Sequence, residues 1–85
     1  MVKLDYEIIN GNGYMKEYDE IRSILKFEGE YKNMKRNGKG KEYYDDGELK
    51  FEGIFLNGNK WNGKGKEYKD KVEFDFEYVN GEKRK

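Results

Sequence analysis

"FEGIFLNG", Phe51 to Gly58, decides the fold because it recurs. It meets "FEGEYKNM" at Phe27 to Met34, "FDFEYVNG" at Phe74 to Gly81 and, less obviously, "LDYEIING" at Leu4 to Gly11. The leading residues Leu4, Phe27, Phe51 and Phe74 stand 23, 24 and 23 apart, with Asn10, Asn33, Asn57 and Asn80 in one register. Between the copies lie three "KEY" segments, at Lys16 to Tyr18, Lys41 to Tyr43 and Lys66 to Tyr68. Two of them belong to the verbatim repeat "NGKGKEY", at Asn37 to Tyr43 and Asn62 to Tyr68. Self-similarity at a fixed period marks a tandem repeat, here of two alternating elements.

Both elements read as extended. In "VEFDFEYV", Val72, Phe74, Phe76 and Tyr78 fall on one face and Glu73, Asp75 and Glu77 on the other, the period of a strand half buried on one side. Leu49, Phe51, Gly53 and Phe55 keep the same rhythm, as do Leu25, Phe27, Gly29 and Tyr31. Asp45-Asp46-Gly47-Glu48 carries the Asp-Gly hairpin signal, and Asp70-Lys71 is a shorter version of that turn. The other connection, Asn-Gly-x-Lys-x-Asn-Gly, reads as a loop of residues that accept positive φ. No stretch has an apolar stripe at helical spacing. The expected fold is all-β: one domain over residues 1–85, with repeat strands beginning near 4, 27, 51 and 74. About seven short strands form tandem β-hairpins in an elongated, twisted, antiparallel single-layer sheet. Gly29 and Gly53 leave room on the aromatic face for a neighbour's ring. Tyr6 and Phe76 take that position in the outer copies and are expected to act as end caps.

The alphabet narrows the chemistry. Eighty-five residues include no Ala, Cys, His, Pro, Gln or Thr, and Ser23 is the only serine. Disulfides, thiol nucleophiles, histidine bases and most zinc or iron sites are thereby excluded, which argues against an enzyme. Charge is balanced at 18 basic and 18 acidic residues, so neither nucleic acid nor an anionic membrane is implied. No apolar run reaches the length of a membrane span and no secretory leader opens the chain, so a cytoplasmic location is expected. An aromatic content of 16% argues for an ordered chain despite its polarity.

Individual motifs give way to the repeat. Gly58 to Lys64 fits most of a phosphate loop, but Gly65 stands where Ser or Thr must hold magnesium and a strand-like segment follows. Gly11-Asn12-Gly13 fails the dinucleotide fingerprint because Lys16 occupies the third glycine's place. Asp45, Asp46 and Glu48 supply too few oxygens for calcium and read as a solvated turn. Glu73, Asp75 and Glu77 are expected to pair across strands with lysines such as Lys64, Lys66 or Lys69. Lys83-Arg84-Lys85 reads as a solvated tail. No cofactor or metal is expected. The aromatics Phe27, Tyr31, Tyr43, Phe51, Phe55, Tyr68, Phe74 and Tyr78 read first as core. A single-layer sheet leaves part of such a face wet, so Tyr43 and Tyr68 double as candidate partner contacts. Trp61, in an Asn/Lys/Gly connector, is the leading one, with a local lid over the sheet as its other reading.

The pattern aromatic-x-Gly-x-aromatic, then Gly, then Gly-x-Gly resembles the MORN (membrane occupation and recognition nexus) repeat. "FEGEYKNMKRNGKG", Phe27 to Gly40, matches it with Met34 where the family has Gly, and "FEGIFLNGNKWNGKG", Phe51 to Gly65, matches with one extra residue before Gly63. The end copies depart, with Tyr6 and Phe76 in place of the first glycine. The resemblance implies one β-hairpin per repeat in a rod-like sheet. It also implies a non-catalytic role in scaffolding and protein–protein association, often through dimers. The expected partner is another protein or a second copy of the chain. Peripheral phospholipid binding is the alternative that the family attribution adds, and a regulatory segment flanking an enzyme is a third reading.

Overall fold

The computed structural model describes the backbone of residues 2–9 and 12–84 and the side chains of residues 13–84. It is all-β, with strands β1 (Val2–Ile9), β2 (Asn12–Asp19), β3 (Leu25–Lys32), β4 (Lys35–Tyr43), β5 (Leu49–Leu56), β6 (Asn59–Lys69), β7 (Val72–Val79) and β8 (Glu82–Arg84). Each strand pairs antiparallel with the next in one eight-stranded meander. The strand beyond the expected seven is β8, whose three residues extend past the Asn80-Gly81 turn. The molecule measures 41 × 32 × 15 Å, one sheet thick with its side chains, and its 13.3 Å radius of gyration exceeds the roughly 12 Å of a compact chain this long.

Four hairpins close with two residues, both at positive φ: Asn33-Met34 (52° and 64°), Asn57-Gly58 (49° and 90°), Asp70-Lys71 (53° and 66°) and Asn80-Gly81 (49° and 85°). These are type I′ values, whose twist matches that of the flanking strands and which favour Asn-Gly. The recurring asparagine is therefore a turn residue in every copy described; Asn10 lies outside the described residues.

The long Asn-Gly-x-Lys-x-Asn-Gly connector is corrected: only its first pair turns. The rest belongs to β4 and β6, where bulges absorb the extra residues. Trp61 is the inserted residue between the pairs Phe55↔Lys60 and Ile54↔Asn62. In β4 the bulge spans Asn37, Gly38 and Lys39, with Gly38 at φ 103° and the Lys39 N–H donating to Glu30 Oε1 at 2.8 Å. The second Asn of the motif links repeats. Asn37 Oδ1 accepts the Asn57 N–H at 3.0 Å, and Asn62 Oδ1 accepts the Asn80 N–H at 2.9 Å. The carbonyls of Arg36 and Trp61 accept from Gly58 and Gly81 at 2.8 and 2.9 Å. Each of these turns is thus tied to the hairpin before it.

The core lies on one face. Met15, Phe27, Phe51, Phe55 and Phe76 are buried, and the rings run on edge to face from Phe27 to Phe55 (5.2 Å) and Phe55 to Phe51 (5.5 Å), then stack onto Phe76 (6.4 Å). Burying each ring is worth about 2–3 kcal/mol. Glycine makes this possible. A Cβ on Gly40 would meet the Phe27 ring at 2.7 Å and Phe55 at 3.1 Å, and one on Gly65 would enter the Phe76 ring. Gly29 and Gly53 answer to backbone as well. Gly29 opposes Gly40 and Gly53 opposes Gly63, and a Cβ on Gly53 would strike the Asn62 carbonyl and lie 2.6 Å from the Gly63 Cα. Close strand approach, more than a neighbour's ring, demands these two glycines. Phe76 fills this place in the outer copy: it is 6% exposed and seated over Gly65 in the core. The side chain of Tyr6 lies outside the described residues.

The opposite face carries a ladder of alternating charge. Lys16, Glu28, Lys41, Glu52, Lys64, Glu77 and Arg84 stand in one cross-strand row from β2 to β8, and the backbone of Asp5 in β1 is in register with Lys16. The acidic strip of β7 meets Lys64 at Glu77 and Lys66 at Asp75, with Lys66 Nζ 3.2 Å from Glu73, whereas Lys69 opposes Val72 and pairs with no acid of that strip by register. Opposite charges directly across strands contribute a few tenths of a kcal/mol each.

Gly53→Ala is expected to cost about 2–3 kcal/mol, because the obstacle is backbone that cannot give way. Met34→Gly is expected to gain about 0.5–1 kcal/mol by relieving positive φ at an exposed turn. Thermal melting reads both; an unchanged melting temperature for Gly53→Ala would contradict the close-approach argument.

Candidate functional site

Three cations occupy one repeat position on the aromatic face, the third residue after each turn asparagine: Arg36, Lys60 and Lys83. Each stands over a ring, Arg36 over Phe27 at 4.0 Å, Lys60 over Phe51 at 5.7 Å and Lys83 over Phe76 at 4.7 Å. Each reaches back to the glutamate of the preceding "KEY" segment. Arg36 Nε and Nη2 grip the two oxygens of Glu17 at 2.8 and 3.0 Å, Lys60 Nζ lies 3.1 Å from Glu42, and Lys83 Nζ lies 3.0 Å from Glu67. The planar guanidinium has donors to spare, and Arg36 Nη1 also donates to Glu42 at 2.9 Å. Tyr31 Oη donates to Glu17 as well. Glu42 Oε1 is sealed from water and has no aligned hydrogen bond, so Lys60 meets its charge without a well-directed donor.

The network holds its charges in place. Burial would raise the Glu17 carboxyl, but the hydrogen bonds from Arg36 and Tyr31 and the Arg36 charge outweigh it and leave it below the ordinary glutamate value. Burial and then Glu17 push the Tyr31 hydroxyl up to about 12. Burial pulls on Arg36, but Glu17 and Glu42 more than compensate and hold it firmly protonated. Cation–ring contacts of this kind add about 0.5–2 kcal/mol, and a guanidinium stripped of one buried carboxylate costs more than the pair contributes.

Two open grooves lie on either side of Arg36 and Glu42, which line both. One, of about 620 Å³, runs between successive turns and is walled by Phe55, Lys60, Trp61 and Tyr78. The other, of about 680 Å³, is lined by Lys26, Tyr43, Tyr44, Lys50, Glu67 and Tyr68. The sequence candidates therefore separate: Tyr43 and Tyr68 share one groove and Trp61 borders its neighbour. Trp61 sits in β6, not in a connector, and is partly buried with its indole packed against Gly81, 3.0 Å from where a Cβ would stand. The indole lies on the Asn80-Gly81 turn and borders the groove. Tyr43 is partly buried and donates to Glu28 at 3.1 Å; burial, then Glu28, raises it to about 12. Tyr68 is exposed, 5.7 Å from the Tyr44 ring, and donates to Glu73 at 3.3 Å.

Lys83 is corrected from solvated tail to network member; Lys85 lies outside the described residues. The acidic turn is saturated locally. Asp45 pairs with Arg22 at 3.1 Å and with Lys26, and Asp46 accepts the Glu48 N–H at 2.9 Å. Among the described residues no group of three or more acids suits a metal ion, and no helix is long and apolar enough to cross a membrane. The inward glutamates and their cations escape a reading by alternation, which assigns charge to the solvent face. The available signal was the constant place of the cations, third after each turn asparagine, and the recurrence of the glutamates inside the "KEY" segments. The chain matches no family model, no curated protein and no solved structure.

Because the Glu17 carboxyl is lowered on folding, its contribution is complete above the ordinary value of 4.5 and is lost as pH falls below it. Glu17→Gln is therefore expected to lower the melting temperature at neutral pH and to flatten its fall below pH 4.5, leaving the shares due to Asp19, which Arg22 and nearby backbone N–H groups hold at about 2, and to Asp45, which Lys26 and Arg22 lower. Melting curves across acid pH check this; an unaltered slope would contradict the role of Glu17.

Proposed function

We propose that the chain is a MORN-like, non-catalytic repeat module that serves as a protein–protein interaction scaffold and associates with a second copy of itself. The observation that carries this reading is the state of the aromatic face. Its charges are engaged with one another, Arg36 with Glu17 and Glu42, Lys60 with Glu42 and Lys83 with Glu67, while one opening beside them is walled by Trp61 and Tyr78 and the other is lined by Tyr44 together with Tyr43 and Tyr68, whose hydroxyls reach Glu28 and Glu73 on the charged face. Pre-paired charge and partly exposed rings offer shape and apolar contact, the currency of association rather than of bond making. The resemblance of the two central repeats to the MORN pattern supports the same reading, as does an alphabet without histidine or cysteine.

Solution mass by light scattering over a wide concentration range tests it. The mass is expected to rise above that of one chain, and a single-chain mass throughout would overturn self-association. Co-sedimentation with anionic phospholipid vesicles at low salt is expected to leave the chain in the supernatant. Lipid-dependent pelleting would replace this reading with the phospholipid one.

A further inference from the structure

On the face opposite the rings, strands β2 to β5 carry two parallel cross-strand rows. One is the stretch of the charge ladder formed by Lys16, Glu28, Lys41 and Glu52. The other, two residues further along each strand, is Tyr14, Glu30, Lys39 and Ile54. Seven of these eight side chains are exposed and Glu28 is half-buried. The lateral pairing is loose, with Lys41 Nζ 3.7 Å from Glu52. Between the rows runs a groove of about 470 Å³ lined by Gly29, Gly40 and Gly53, with Tyr14 (46% exposed) and Ile54 (37%) at its margins. Among the described residues nothing packs over this face of the single sheet.

Both rows are self-complementary about one line. A two-fold axis lying along the strands, between β3 and β4, exchanges β2 with β5 and β3 with β4. It sets Lys16 against Glu52 and Glu28 against Lys41 of a second copy. In the other row it sets Tyr14 against Ile54 and Glu30 against Lys39. Moving the axis to the gap between β4 and β5 keeps acid against base in the ladder but sets Lys39 on Ile54 and, by register, Glu30 on Asn62. An axis through one strand, or along the ladder itself, sets like charge on like. We propose, resting on the interaction-module reading, that a second copy of the chain docks face to face on this surface about the axis between β3 and β4. Such a pair is isologous, each contact occurring twice. Its strands run in the same direction, within the roughly 30° that packed sheets keep, and a lysine with a glutamate spans the roughly 10 Å between such sheets. The overlapping strands, β1 to β6, hold eight or more residues each. At the usual strand spacing and rise they give a footprint of about 800 Å², the area that each partner of a stable pair buries. The aromatic face is left open on both copies for another protein.

The test is a charge swap between copies, read by solution mass over a wide concentration range. Lys16 and Glu52 are exposed and stand on β2 and β5, so they are not cross-strand neighbours within one chain. Lys16→Glu alone sets glutamate against Glu52 twice in the pair, and Glu52→Lys alone sets lysine against Lys16 twice. Each is expected to raise the dissociation constant about tenfold, since two attractions become two repulsions. An equimolar mixture of the two variants is expected to regain a two-chain mass at wild-type concentrations, because both contacts are again of opposite sign. Mixing leaves each chain's own neighbours unchanged, so a folding defect in either variant cannot produce the rescue. Association of the wild type is expected to weaken as salt rises. A mixture that stays as weak as its components overturns the assignment of this axis. A wild-type mass above one chain that ignores both reversals rejects this face and leaves the scaffold reading intact. A single-chain mass at every concentration removes self-association and this pairing with it.

Discussion

The Gly53–Gly63 and Gly29–Gly40 pairs set the spacing on which the aromatic face depends. A side chain at Gly53 would collide with the main chain of β6, and one at Gly40 with the rings of Phe27 and Phe55. Removing those Cβ atoms lets adjacent strands draw together and lets each ring lie over a neighbouring strand instead of standing beside its side chains. A single sheet has no second layer to bury its apolar face, so the rings must cover one another and the backbone. That is how a chain with mean hydropathy −1.29 secures a continuous core of four phenylalanines.

Charge completes what the rings begin. On the aromatic face, a cation from one hairpin reaches the glutamate of the hairpin before it and roofs a ring in passing, as Arg36 does over Phe27. On the other face, acids and bases alternate from strand to strand between β2 and β8. Neighbouring hairpins are joined by three kinds of link: a ring over a glycine, a cation on a glutamate, and an asparagine holding the next turn. Links of this sort run only between adjacent repeats, as expected of a quasi-one-dimensional protein.

Much of this was legible in the residues. The spacing of Phe27, Phe51 and Phe74 fixed the repeat, and Asn33, Asn57 and Asn80 marked one corner of each hairpin. Alternation in Val72 to Val79 assigned the faces of β7. Where the reading failed, one residue type served two physical needs. Asn and Gly inside "NGKGKEY" resemble loop residues, yet Asn62 holds the following turn and Gly65 receives the Phe76 ring. Glu42 resembles a solvent-facing residue, yet it lies inward because Arg36 and Lys60 neutralise it there. Trp61 resembled an exposed contact in a loop because the bulge that places it in β6 depends on pairing with β5, which local pattern does not encode. Of the candidate contacts, the sharing of a groove by Tyr43 and Tyr68 came from strand order, and the pairing of their hydroxyls with Glu28 and Glu73 from register.

Amide hydrogen exchange, resolved residue by residue, tests the central claim that glycine-permitted strand approach fuses the hairpins into one cooperative sheet. The account predicts that the paired amides of β3 to β6, among them those of Gly40, Phe51, Gly53 and Gly65, exchange last and with a common opening free energy. Separate opening free energies for successive hairpins, with the glycine rows among the first to exchange, would contradict it.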